Sequence, residues 1–151
     1  MDMSSTSLLS SASYSDCTRQ KLVPNVIQGN GGDAIYVGRN SSAWIVGNTI
    51  RGNAGNGVAV DRNSQADVIG NTIAGNRGDG IAVTHSSGVN LVSEGTPRRE
   101  RANQTDPAEK NGGFGISCSI GGYAVGPLGT LAGMRASKQI ESTCIDRIVV
   151  D

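Results

Sequence analysis

NVIQGN (25–30), NTIRGN (48–53) and NTIAGN (71–76) are near-copies of one hexapeptide, each starting 23 residues after the one before. Extended outward, the rows read NVIQGNGGDAIYVGRNSSAWIVG (25–47), NTIRGNAGNGVAVDRNSQADVIG (48–70) and NTIAGNRGDGIAVTHSSGVNLVS (71–93). The columns agree in chemistry as well as in letters. Apolar ones hold Ile27, Ile50 and Ile73; Ile35, Val58 and Ile81; Val37, Val60 and Val83; and Ile45, Val68 and Leu91. Asparagine recurs at Asn25, Asn48 and Asn71, and again at Asn30, Asn53 and Asn76.

Each row breaks at several glycines and never sustains a 3.6-residue period, which excludes a helical repeat. It holds three short β-prone pieces instead, NTI, GVAV and ADVI in the second row. Alternation sends Val58 and Val60 to one face and Ala59 to the other. Three strands per 23-residue turn, each with its own interior column, predict an all-β fold: a right-handed parallel β-helix, a solenoid of about four turns. Successive turns stack at ~4.8 Å. The asparagine columns fall at corners, where their amides can hydrogen-bond from turn to turn. Gly29, Gly52 and Gly75 supply the adjoining bends.

The NTIxGN…GIAV rows resemble the right-handed β-helix repeats of the pectate-lyase-like superfamily, especially the short repeats of carbohydrate-binding and sugar-hydrolase proteins. The resemblance covers residues 25–93 closely, and 111–118 (NGGFGISC) as a fourth, partial turn. It implies the fold, a polysaccharide partner and an extracellular or cell-surface location. It implies no single activity, because the scaffold carries lyases, hydrolases, epimerases, adhesins and inert spacers. Where the polygalacturonase-like Asn-Thr-Asp would stand, this chain has NTI. The epimerase-like Asp-Pro-His is approached only by Asp106-Pro107-Ala108, and a calcium-binding carboxylate cluster is hinted at only by Asp61 near Arg39 and Arg62. No Ser/His/Asp set, zinc spacing or phosphate-binding glycine loop is present.

Composition narrows the partners. The 151 residues include 13 basic and 13 acidic ones, so no basic surplus points to nucleic acid. No apolar run reaches the roughly 18 residues of a membrane span. The first 17 residues carry no basic, then apolar, signal-peptide pattern, and they read as the continuation of a longer chain. The 22 glycines leave the interior to Val, Ile, Leu and Ala. Of three cysteines, Cys118 and Cys144 are the first pair to expect in a disulfide, with buried free thiols as the alternative. Continuing the period from Gly80 places the next GI at 103, but it stands at Gly115-Ile116, 12 residues later. Residues 94–110 are therefore expected as a polar surface insertion. The domain plan is a β-helix over 1–118 with a partial N-terminal turn, and a C-terminal cap over 119–151.

Three sets of residues are candidates for binding. Arg39, Arg62 and His85 form an outward column whose mutual repulsion calls for a counter-charge, either neighbouring Asp61 or an anionic sugar; the alternative is a solvated edge. Asp33, Asn56 and Asp79 precede the second strand. Two carboxylates two rungs apart, ~10 Å, are too far for a retaining glycosidase pair and at the edge of an inverting one; with Asn56 they can hold a hard cation such as calcium, and the alternative is that they cap the turn. Trp44, in a column with Lys21, Asp67 and Asn90, faces outward and can stack on a sugar ring. Beside it runs an apolar outward stripe, Val23, Val46, Ile69 and Val92, expected to be covered by the C-terminal segment or by self-association. The reading is a non-catalytic module for polysaccharide or protein interaction. The alternative is a partial or degenerate polysaccharide lyase or hydrolase acting on acidic glycans. No catalytic residue, metal ligand or cofactor is assigned.

Overall fold

Strands that alternate and recur at a constant interval can bury all their inward side chains together by coiling and stacking. The computed structural model, which describes residues 2–3, 7–9, 12–14, 19–22, 25–91 and 102–150, has this form. With strands numbered in chain order, a seven-stranded sheet runs β1 (Asp2–Met3), β4 (Arg19–Leu22), β7 (Ser42–Val46), β10 (Gln65–Ile69), β13 (Gly88–Asn90), β15 (Tyr123–Pro127) and β17 (Ile145–Val149). A four-stranded sheet holds β2 (Ser7–Leu9), β5 (Asn25–Gln28), β8 (Thr49–Arg51) and β11 (Thr72–Ala74). The third sheet has six strands: β3 (Ala12–Tyr14), β6 (Ile35–Val37), β9 (Val58–Val60), β12 (Ile81–Val83), β14 (Phe114–Cys118) and β16 (Ala136–Ile140). Neighbours pair in parallel, in the register of the repeat: Ile27 with Ile50 and Ile73, Val37 with Val60 and Val83, Ile45 with Val68. The protein is an all-β right-handed parallel β-helix.

The four apolar columns fill the tube. Ile27, Ile50, Ile73, Ile35, Val58, Ile81, Val37, Val60, Ile45, Val68 and Leu91 are all 0% exposed. At ~1.5–3 kcal/mol for each fully buried aliphatic side chain, these columns are the main drive to fold. The corners are held by hydrogen bonds. Asn71 Nδ2 donates to Asn103 Oδ1 (3.0 Å) and to the Ile45 carbonyl (2.8 Å), while Asn71 Oδ1 accepts from the Asn48 backbone N–H (2.9 Å) and Nδ2 (3.1 Å). Asn53, Asn76 and Asn111 repeat the pattern at the second corner. A third ladder, Ser41–Ser64–Ser87, bonds each backbone N–H to the next hydroxyl. Among the described residues, no buried side-chain polar atom lacks a partner.

Two expectations need correction. Residues 94–101 lie outside the described residues, but 102–105 are not surface insertion. Asn103 joins the first asparagine ladder and is 0% exposed; Gln104 bridges Thr72 and Thr130; Thr105 takes the isoleucine position at 4% exposure. A threonine can stand there because its Oγ1 donates to the Ile73 carbonyl (2.8 Å). Among the described residues of this segment, Asp106–Lys110 project as an exposed excursion before Asn111 returns to the second ladder.

The segment after Cys118 does not lie along the side of the solenoid. It supplies further rungs: β15 pairs with β13, β16 with β14 and β17 with β15. Pro127 and Val149 thereby extend the apolar outward stripe; Val46 is half-buried and Ile69 only 4% exposed, while Val23 and Val92 lie outside the described residues. On the last rung two inward positions change character. Lys138 follows Ile116, Asp146 follows Ala124, and the two form an ion pair of 2.7 Å across the mouth of the tube. A disulfide joins inward Cys118 to Cys144, just before β17.

Candidate functional site

The seven-stranded sheet presents one candidate surface. Register places Trp44 between Lys21 and Asp67, with Asn90 next to Asp67, as the column predicted. Trp44 is 38% exposed. Asn90 Nδ2 donates to Asp67 Oδ1 (2.9 Å), tying two rungs together. Ser42, Gln65, Asp67 and Asn90 line a shallow hollow of about 150 Å³, with Ala43 and Ala66. The hollow borders Gly88, which stands where a side chain would collide with the Tyr123 ring. Burial, and then the charge of Asp67, push the Tyr123 phenol pKa up.

The second surface is the corner that follows the six-stranded sheet. Gly38, Asp61, Thr84 and Ser119 occupy one column, through backbone bonds such as Asp61 N–H to the Val37 carbonyl and Thr84 N–H to the Val60 carbonyl. Arg39, Arg62 and His85 form the next. Asp61 is the hub. Its Oδ1 is 2.7 Å from His85 Nδ1, its Oδ2 accepts from Tyr36 Oη (3.1 Å), and Arg62 Nε lies 3.4 Å away. An ionised carboxylate at that distance requires the proton on Nδ1, which leaves Nε2 as the imidazole's outer nitrogen on a side chain 56% exposed. Thr84 Oγ1 lies 3.2 Å from the same Nδ1 and accepts from Ser119 Oγ (3.2 Å). Burial, then the hydrogen bond and charge of Asp61, raise the Tyr36 phenol pKa; Arg62 and Arg39 oppose the shift.

Asp33, Asn56 and Asp79 are turn caps. Asp33 Oδ1 accepts from the Asn56 N–H (2.7 Å), Asn56 Oδ1 from the Asp79 N–H (2.8 Å), and Asp79 Oδ1 from the Phe114 N–H (2.8 Å). Ser117 Oγ donates to Asp79 Oδ2 at 2.6 Å. The capping oxygens reach this close because glycine precedes each donating N–H: a Cβ on Gly55 would lie 2.6 Å from Asp33 Oδ1. Among the described residues, no group of three or more His, Cys, Asp and Glu could hold a metal.

The period therefore gave the columns of Trp44, Arg39, Arg62, His85 and Asp61, and the structure joins Arg62 and His85 to Asp61 while Arg39 stands one rung away in the same column as Arg62. It missed Tyr36, Thr84 and Ser119, whose hydrogen bonds join different columns. It also missed Gln65, whose shared column with Gly88 was open to reading, and Tyr123, which stands in β15 beyond the legible repeat.

Residues 7–96 match the family described as "Right handed beta helix region". No curated protein and no solved structure matches the chain.

Proposed function

The chain belongs to the right-handed beta helix family, and on that premise we propose that it is a non-catalytic module that holds a polysaccharide against the Trp44 surface. The observation that carries this reading is a 38% exposed indole beside the hydrogen-bonded Asp67–Asn90 pair. An indole face takes the apolar side of a sugar ring, and flanking amide and carboxylate groups take its hydroxyls. Rungs at ~4.8 Å give a chain of sugars repeated contacts along the axis. The Cys118–Cys144 disulfide supports an oxidising, extracellular setting.

Trp44 is the single tryptophan, so its emission reports on this surface directly. Titration with neutral and acidic glycans is expected to shift that emission, and Asn90→Ala to weaken the binding about tenfold. An emission spectrum that no glycan changes would end the proposal. A lyase or hydrolase of acidic glycans is the second reading, favoured by the carboxylate-held His85. It predicts unsaturated uronide or new reducing ends from an acidic glycan, lost in His85→Ala.

A further inference from the structure

The rung made by β16 and β17 is loosely held. No residue of either strand is buried, whereas β14 and β15 beneath them each bury three of five. Ile140, Cys144 and Ile148 pack against the core, and all three are only partly buried. The inward positions Lys138 and Asp146 carry an ion pair across the mouth in place of apolar filling. A rung inside the stack has two neighbours and this one has one, so it can open without the others. Backbone bonds tie it down: Glu141 N–H to the Cys118 carbonyl, Ile145 N–H to the Gly122 carbonyl and Leu128 N–H to the Val149 carbonyl. At its corner Glu141 Oε2 accepts from the Ile120 N–H (2.6 Å) and Thr143 Oγ1 from the Gly121 N–H (3.1 Å), both exposed to water.

The Cys118–Cys144 disulfide crosses this interface. It runs from the end of β14 to the residue before β17, 26 positions later in the chain. Register sets Cys118 beside Ile140, so the bond holds the corner where β16 ends and β17 begins to the rung beneath. Gly122 makes room for it: a Cβ there would lie 2.9 Å from Cys118 Sγ. The bond can be reached. Cys144 is only partly buried, and a hollow of about 490 Å³, between Ser117 of β14 and Gln139 of β16, borders Cys118.

We propose that this disulfide is a redox latch: a dithiol reductant opens it, the C-terminal rung detaches, and the strand edges of β14 and β15 are uncovered. The proposal goes beyond the Trp44 reading and does not rest on it. A thiolate of the reductant attacks Cys144 Sγ, the sulfur–sulfur bond breaks, and its electron pair leaves on Cys118 Sγ, which takes up a proton. The reductant's second thiolate then attacks the mixed disulfide and frees Cys144, protonated in its turn. Two electrons pass to the protein, which gains two thiols as the reductant becomes a disulfide. Without the bond, the rung keeps one largely polar interface, with water on its far side. Its departure uncovers Ile116, Ala124 and Leu128, at most 5% exposed beneath it, and takes Lys138 and Asp146 from the mouth. In an oxidising medium the latch stays shut.

The test is hydrogen exchange read by mass spectrometry on the full chain, oxidised and after treatment with dithiothreitol. Amides of β16 and β17 are expected to exchange at least about tenfold faster once the bond is reduced, while those of β8 to β12 keep their protection. Alkylation of Cys118 and Cys144 verifies that the bond was opened, and re-oxidation of unalkylated protein should restore slow exchange. Cys144→Ser should behave as the reduced protein with no reductant present. An apolar dye should bind the reduced chain and Cys144→Ser more strongly than the oxidised chain. Trp44 emission should stay the same throughout, because β7 remains in the stack. Unchanged protection of β16 and β17 with both cysteines alkylated would overturn the proposal. So would loss of protection along the whole solenoid, which would make the disulfide a staple of the entire fold.

Discussion

Two corners of the same solenoid follow opposite rules. At the corner of Asn30, Asn53, Asn76 and Asn111 one residue type recurs, Asn53, Asn76 and Asn111 are no more than 1% exposed, and each amide is satisfied by its neighbours. At the corner of Arg39, Arg62 and His85 the residue changes, the backbone is strained, and the side chains face water. The first column can be explained from inside the molecule. The second cannot: its conformation opposes folding, and its side chains reach into water. In a repeat protein, identity down a column signals support, and strained variation signals an outward task.

The largest blow to the comparison would come from Asn76→Ala. It removes an oxygen that accepts from the Asn53 N–H and Nδ2, and a nitrogen that donates to Ile50 O and Asn111 Oδ1. At ~1–3 kcal/mol for each buried group left without a partner, a loss of about 4 kcal/mol or outright unfolding is expected in chemical denaturation. A loss under about 1 kcal/mol would show that the ladder is dispensable. Arg39→Gly sharpens the other side. Exchanging a left-handed arginine for glycine should stabilise the chain by roughly 0.5–1 kcal/mol, measured the same way, and destabilisation would mean that Arg39 has a folding role.

The smaller effects depend on pH. Asp146 is held below the usual carboxylate range by its hydrogen bond to Lys138, helped by the Ile148 N–H and opposed by burial. A depressed pKa adds stability that is present above the unfolded value and is lost as pH falls through the folded one. Lys138→Ala should therefore cost about 1 kcal/mol or less near neutrality, since solvent screens the pair, and nothing in strong acid. Tyr36 is shifted the other way, above the ordinary value near 10.0. Its contribution is complete below the unfolded pKa and fades as pH climbs through the raised one. Phenolate absorbance should show Tyr36 ionising late, and Asp61→Asn should move that step back toward the ordinary value. A titration unaffected by Asp61→Asn would remove Tyr36 from the hub.

How much of this was legible follows from the same contrast. Ile27–Ile50–Ile73 and the asparagine columns could be read at once, because the interior of a stack demands the same solution on each rung. Thr105 hid a rung because one hydroxyl, bonded back to Ile73, replaced the expected isoleucine. β15 to β17 were hidden because Gly126, Lys138 and Asp146 stand where the repeat wants aliphatic residues. The column Arg39–Arg62–His85 and its counter-charge Asp61 were visible in the period. The links from Tyr36 and Ser119 were not, since a register says which backbones are neighbours and not how far a side chain leans.

The Lys138–Asp146 pair bears on how such a molecule avoids becoming a fibril. A stack of parallel strands is a template, and any chain with matching rungs could elongate it. A rung laid over β16 and β17 would have to seal both ions away from water, at several kcal/mol each, or pull them apart. Elongation from that side is therefore uphill at its first step. Lys138→Ile with Asp146→Val would remove the barrier and turn this face of the tube into an adhesive seed for growth.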